Sequence, residues 1–257
     1  MTSPGRGLFR RCAVLPCLSF FSLSVPTYGL CAVLGLLLGF ALAALRVRRA
    51  GLSAEALLQT VGIVLLGVLL GGKLLYLAVT FTPPSLLTVL RAGDLTPLFG
   101  GGMVYYGGLL GGLLALPPGA RFAGVKPAPY LSAALPSIPL AHAVGRVGCY
   151  LAGCCYGFPY GGPLSQIPAD ASLGTAFPVP LAEAAGELVL CAALVLLGRR
   201  RTLTLPTYLA PYAVLRFLLE FLRGDEGRGV WLLSTSQWIS LFILLTLIGY
   251  RCLRTRK

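Results

Sequence analysis

Residues 145–157, GRVGCYLAGCCYG, place a fixed positive charge and three thiols inside an apolar run. Arg146 lies among Gly145, Gly148, Gly153 and Gly157 and beside Cys149, Cys154 and Cys155. An arginine near the middle of a membrane span costs about 3 kcal/mol on insertion scales. A chain that keeps one uses it against something negative or strongly polar. Guanidinium forks match phosphate oxygens, and in a membrane the nearest phosphate is a lipid headgroup. One helical turn upstream is His142, the only histidine of the chain. A lone buried histidine commonly serves packing, but one turn from a cation it is also placed to act as a base. The three cysteines admit three readings: small packing residues beside glycines, a disulfide, or a metal site with His142. Their C-x4-C and adjacent spacings are not the usual zinc-ligand ones, so no metal is expected.

Two further stretches carry polar groups in apolar surroundings. Residues 205–223, LPTYLAPYAVLRFLLEFLR, put Tyr212, Arg216 and Glu220 on one helical stripe, with Arg223 continuing it. Glu220 either neutralises Arg216 or orients it toward a ligand phosphate, and the two readings are compatible. Residues 98–112, LFGGGMVYYGGLLGG, hold seven glycines in fifteen positions. Such density serves either close helix packing or a broken stretch lining a cavity, with Tyr105 and Tyr106 presenting polar tips. Lys73 is the third cation inside a span and is a candidate for that reason alone.

The elements that must position these groups are membrane helices. Of 257 residues 56% are hydrophobic and 11% charged, with mean hydropathy +0.83. A soluble domain carries about 25% charged residues. A β-barrel would show short alternating segments instead of apolar runs of about 20. The expected fold is an all-α integral membrane protein with about seven transmembrane helices, near 28–45, 57–79, 98–116, 133–155, 181–198, 205–222 and 231–250, the third of them Gly-rich. A short N-terminal surface segment, 1–27, precedes one membrane domain, 28–257. Residues 19–25 alternate like a short surface strand, although Arg10–Arg11 and the apolar stretch after it also resemble a signal peptide. Twelve cations follow the odd-numbered spans and six lie on the other side, which predicts an outside N-terminus and a cytoplasmic C-terminus. The net charge of +13 is explained by this topology, not by nucleic acid. Cys12, Cys17, Cys31, Cys191 and Cys252 sit in apolar stretches, where cysteine acts as a small hydrophobe.

From about residue 19 to 250 the chain resembles the bacterial prolipoprotein diacylglyceryl transferases. The resemblance comes as an ordered set: Tyr28-Gly29-Leu30, Gly71-Gly72-Lys73 with Tyr76, Gly101 to Gly108, Gly145-Arg146-Val147-Gly148, Pro178 with Leu181 and Glu183, then Tyr212, Arg216, Glu220, Arg223 and Gln237. It implies a seven-span inner-membrane enzyme that moves diacylglycerol from phosphatidylglycerol to the lipobox cysteine of a prolipoprotein, releasing glycerol phosphate. Its partners would be phosphatidylglycerol and other membrane phospholipids and the prolipoprotein signal peptide, with no cofactor. It further implies that Arg146 and Arg216 clamp phosphate, Glu220 holds Arg216, Tyr28 lines the headgroup pocket and Arg223 steers at the surface. Lys73, Tyr105, Gly145 and Gly148 join the substrate-binding set. Tyr106 stands in the slot of the family's histidine, so His142 is taken as the assisting base and Tyr106 as orienting. Departures are local: Cys149 and Ala152 replace the signature's asparagines, Cys154 its glutamate, and Phe177 and Pro180 a histidine and a glutamine. Three rivals follow: the same chemistry on another acceptor, a membrane thiol–disulfide protein using Cys149, Cys154 and Cys155, and a lipid-binding or transport protein without turnover.

Overall fold

The computed structural model describes residues 17–20, 23–81, 105–169, 174–224, 229–230 and 232–255, together with 89, 91 and 93. The chain is helical. A hairpin of β1 (Cys17–Phe20) and β2 (Leu23–Pro26) pairs antiparallel, Cys17 opposite Pro26, and leads directly into α1 (Thr27–Arg49). This is where alternation in the sequence predicts a surface strand. There follow α2 (Ala54–Thr80), α3 (Tyr105–Phe122), α4 (Pro127–Ala134), α5 (Ser137–Leu151), α6 (Val179–Leu197), α7 (Leu205–Glu220), a second small hairpin of β3 (Gly229–Val230) and β4 (Leu233–Ser234), and α8 (Thr235–Thr255).

Among the described residues four helices, α1, α2, α6 and α8, are long and apolar enough to cross a membrane. Their outward faces carry exposed Leu37, Leu74, Val189 and Phe242. A span needs about 20 residues, and α5 and α7 are shorter, with 15 and 16 residues. The expected fourth span, 133–155, is two helices with a turn at Leu135–Pro136. Hydropathy is continuous there, so it hides the break. The physical cause is Pro136 followed by Pro139, the latter in the first turn of α5, where its missing N–H costs nothing. The expected third span, 98–116, is helical from Tyr105 to Phe122; residues 98–104 lie outside the described residues.

Two compact units are present. The first comprises Met1–Ala43 and Ser132–Lys257, the second Ala44–Leu131. In the second, α2 and α3 pack backbone to backbone. A Cβ on Gly71 would collide with the carbonyl oxygen of Gly107, and one on Gly111 with that of Gly67. Glycine at these positions is a requirement of close approach, of the small-xxx-small kind. Ser53 caps α2 by accepting from the Ala56 N–H (3.2 Å).

In the first unit, α5 packs antiparallel on α6, and α7 lies against both α6 and α8. Gly35 and Gly39 bring α1 onto α5: a Cβ on Gly35 would stand 2.6 Å from the Ala141 carbonyl oxygen, and one on Gly39 3.1 Å from that of Ser137. Gly148 returns the favour, because a Cβ there would meet the Cys31 Cβ at 2.7 Å and the Tyr28 Cα at 3.3 Å.

Candidate functional site

Helical spacing places the polar groups of the first unit. His142 and Arg146 stand one turn apart on α5, Glu183 and Glu187 one turn apart on α6, and Arg216 and Glu220 one turn apart on α7. Because α5 and α6 run antiparallel, the lower rung joins Arg146 to Glu183 and the upper rung joins His142 to Glu187. Arg146 Nη2 lies 2.8 Å from Glu183 Oε1, and His142 Nδ1 lies 2.7 Å from Glu187 Oε1. Arg146 Nε donates to His142 Nε2 (3.2 Å), closing the square along α5. With Nε2 accepting, the imidazole carries its proton on Nδ1 and donates it to Glu187.

Arg216 extends this square to a third helix. Its Nε is 4.0 Å from the same Glu183 oxygen, and its Nη2 meets Glu220 Oε2 at 2.7 Å and the Ser236 hydroxyl of α8 at 3.1 Å. Glu183 is therefore shared by two guanidiniums. It is 1% exposed and Glu187 is fully buried, while Arg216 is 8% exposed. Carboxylates so deeply buried require pairing, since an isolated charge in such surroundings costs several kcal/mol. Arg216 Nη1 makes no hydrogen bond among the described residues, so buried donors remain for another anion. His142 is closed on one side by the edge of Tyr212 (centroids 5.7 Å apart), which in turn stacks on Tyr208 (5.6 Å).

The thiols lie just beyond. Ala152 ends α5, Gly153 takes φ +71°, and the bonds Gly153 N–H to Tyr150 O (3.2 Å) and Cys154 N–H to Cys149 O (3.1 Å) form a Schellman cap. Glycine is needed at this left-handed turn, where a Cβ would also press the Ala169 nitrogen (2.8 Å). Buried Gln166 locks the cap by donating to Cys154 O (2.8 Å), Cys149 O (3.4 Å) and Tyr150 O (3.4 Å). The segment after it is anchored through Gly157 N–H to Phe177 O (2.9 Å) and by stacking of Phe158 on Phe177 (5.2 Å).

Of the residues singled out in the sequence, the structure brings Arg146, His142, Arg216 and Glu220 into one network. Tyr28 is half exposed beside Gly148, and Gly145 has open space where a Cβ would point. Arg223 pairs its backbone with Gly157 and hydrogen-bonds the Cys155 side chain. Lys73 belongs to the second unit, its Nζ 5.0 Å over the Tyr76 ring. Tyr105 and Tyr106 open α3 in that same unit. Glu187, Gln166 and Ser236 were missed. Glu187 carried a signal, a second carboxylate one turn after Glu183 in an apolar helix; Gln166 and Ser236 carried none.

Two arginines held by buried carboxylates, Arg216 buried and Arg146 half-buried, with a histidine one turn away, are chemistry for an anion in a water-poor site. Comparison with known proteins agrees. The family described as prolipoprotein diacylglyceryl transferase matches residues 16–252. The chain is 31% identical over 247 residues to the phosphatidylglycerol–prolipoprotein diacylglyceryl transferase of Clostridium tetani, covering 92% of this chain and 96% of that one. A second such enzyme from Clostridium perfringens is 32% identical over 234 residues, covering 88% and 89%. The one from Bordetella avium is 31% identical over 234 residues, covering 87% and 88%. A match that runs through the arginine network and nearly end to end leaves one assignment: this chain belongs to the prolipoprotein diacylglyceryl transferase family.

Proposed function

We propose that this protein transfers the diacylglyceryl group of phosphatidylglycerol to the thiol of a prolipoprotein lipobox cysteine and releases glycerol phosphate. The observation that carries this reading is the pair of guanidiniums of Arg146 and Arg216 sharing the buried Glu183, in a family whose members bear that activity as their name. The thiol sulfur forms a bond to the glycerol carbon as the carbon–oxygen bond to phosphate breaks. The thiol proton goes to a base, and the phosphate leaves as an anion. Preorganised positive charge in a dry site stabilises that leaving group most. Arg216 supplies it through Nη1, while Glu220 and Ser236 fix its orientation.

Arg146 has a second task in this scheme. In the structure it donates to the very nitrogen, Nε2, that His142 would use as base. When a phosphate draws Arg146 away, Nε2 is released, and Glu187 stabilises the imidazolium that forms after proton uptake. Base activation would thus be coupled to lipid binding. Tyr28 and Gly145 would shape the headgroup pocket, Gly148 seats Tyr28 against α5, and Arg223 steers the anion. Lys73, Tyr105 and Tyr106 are proposed substrate-binding residues by the resemblance alone, Tyr106 by orienting. Residues 28–257 would act as one seven-span domain of the bacterial inner membrane, N-terminus outside and C-terminus cytoplasmic, after the surface segment 1–27. The signal peptide of the prolipoprotein would be the acceptor's docking element.

The test is turnover in detergent with phosphatidylglycerol and a synthetic lipobox peptide, reading glycerol phosphate release and peptide mass. Release that needs the peptide's cysteine, and is lost when it is serine, supports the reading. A well-folded protein that binds the lipid but leaves the peptide mass unchanged overturns it.

A further inference from the structure

Cys149, Cys154 and Cys155 have no part in the transfer scheme, yet their Sγ atoms all lie within 4.8 Å of one another. Each is a free thiol, Cys149 buried and the other two half-buried. Three features hold them there. The Schellman cap folds Cys154 back over the end of α5, with its Sγ 3.5 Å from the Cys149 carbonyl. Gln166 bonds the carbonyls of Cys149 and Cys154 from below. Cys155 itself adopts φ +63°, a left-handed conformation that a non-glycine residue keeps only where the surroundings enforce it. That turn aims its side chain at the other two and not along the chain.

We infer that the three thiols form a binding site for a divalent thiophilic cation of the zinc class. Zinc–sulfur bonds of about 2.3 Å set sulfurs roughly 3.8–4.0 Å apart in a three-thiolate arrangement. The observed spacing reaches that by closing less than about 1 Å. Soft thiolates select such ions over hard ones. On binding, three S–H bonds break, three metal–sulfur bonds form, and three protons pass to solvent. Three thiolates around a divalent ion leave one negative charge, and Arg223, hydrogen-bonded to Cys155, offsets it. A monovalent ion would leave a second charge uncompensated. Gln166 acts as the positioning residue, because it holds the carbonyls of two ligand residues and leaves the sulfurs free.

The experiment uses the full chain in detergent, reduced with a phosphine, and titrated with Cd(II) while thiolate-to-cadmium absorption is followed. Saturation at one ion per chain, displaced by Zn(II), is expected. Cys154→Ser should weaken binding by more than about 100-fold, beyond the 10–100-fold typical of an outer-shell change, while Cys191→Ser should leave it unaltered. Should Cys154→Ser fail to fold, the wild-type protein decides: Zn(II) should shield Cys149, Cys154 and Cys155 from alkylation mapped by mass, with Cys31 labelled equally with and without zinc. Absorption without a defined endpoint, unchanged binding by Cys154→Ser, or equal alkylation of the trio with and without zinc would overturn the inference. None of these readouts involves diacylglyceryl transfer, so they stand or fall separately from the proposed reaction.

Discussion

Replacing Glu183 by glutamine keeps the shape of the side chain and removes the one charge that two guanidiniums share. Arg146 Nη2 lies 2.8 Å and Arg216 Nε 4.0 Å from the same oxygen. At an effective dielectric constant of about 20 these separations correspond to gross attractions of roughly 6 and 4 kcal/mol. Desolvation of a carboxylate that is 1% exposed opposes most of this. Removing one partner of a buried pair nevertheless costs about 3–5 kcal/mol, because the other charge is left uncompensated. Glutamine still offers an amide oxygen to one arginine, so the lower end, about 3 kcal/mol, is expected. For a chain of this size that is a fall in Tm of roughly 6–12 °C, read by thermal unfolding in detergent. The double variant Glu183→Gln with Arg146→Gln should recover part of the loss, since both charges are then gone. Unfolding of Glu183→Gln within about 2 °C of wild type, or single losses that add to within about 0.5 kcal/mol in the double variant, would refute the shared-carboxylate reasoning.

Other variants probe the remaining parts. Arg216→Lys keeps the charge but cannot serve Glu220, Ser236 and an anion at once; turnover should fall about 10²–10³-fold, the range for losing one transition-state donor, with Tm close to wild type. Gly111→Ala forces a methyl group into the Gly67 carbonyl and should destabilise the second unit by about 1–3 kcal/mol, seen as lower yield and earlier aggregation on heating. Gln166→Leu strips the cap after α5 of its buried donor and should cost about 1–3 kcal/mol in thermal unfolding.

What could be read from the sequence was what depends on near neighbours along the chain. Arg216 with Glu220, and His142 with Arg146, meet because they are one helical turn apart, and both contacts form. The β1–β2 entry to α1 was visible in alternation, and the close packing of α3 in the glycine density of 98–112, while its partner glycines on α2 carried no such signal. The two rungs between α5 and α6 were not visible. Joining Arg146 to Glu183 and His142 to Glu187 requires the register of two antiparallel helices separated by a 27-residue connection, 152–178, which no local pattern encodes. The same holds for Gln166, whose value lies in reaching back to the end of α5. Hydropathy also concealed the turn at Leu135–Pro136, since both flanking segments are apolar, and only the prolines marked it. The thiol trio lay between these cases: Cys154 and Cys155 are adjacent, but their approach to Cys149 depends on left-handed turns at Gly153 and Cys155.

The most direct test of the arginine clamp in lipoprotein maturation is complementation of a conditional strain lacking its own prolipoprotein diacylglyceryl transferase, with prolipoprotein accumulation read on a gel. The wild-type chain should clear the precursor, and Arg146→Ala and Arg216→Ala, expressed to the same level in the membrane, should both let it accumulate. Full clearance by either variant, or none by a well-inserted wild-type protein, would contradict the account.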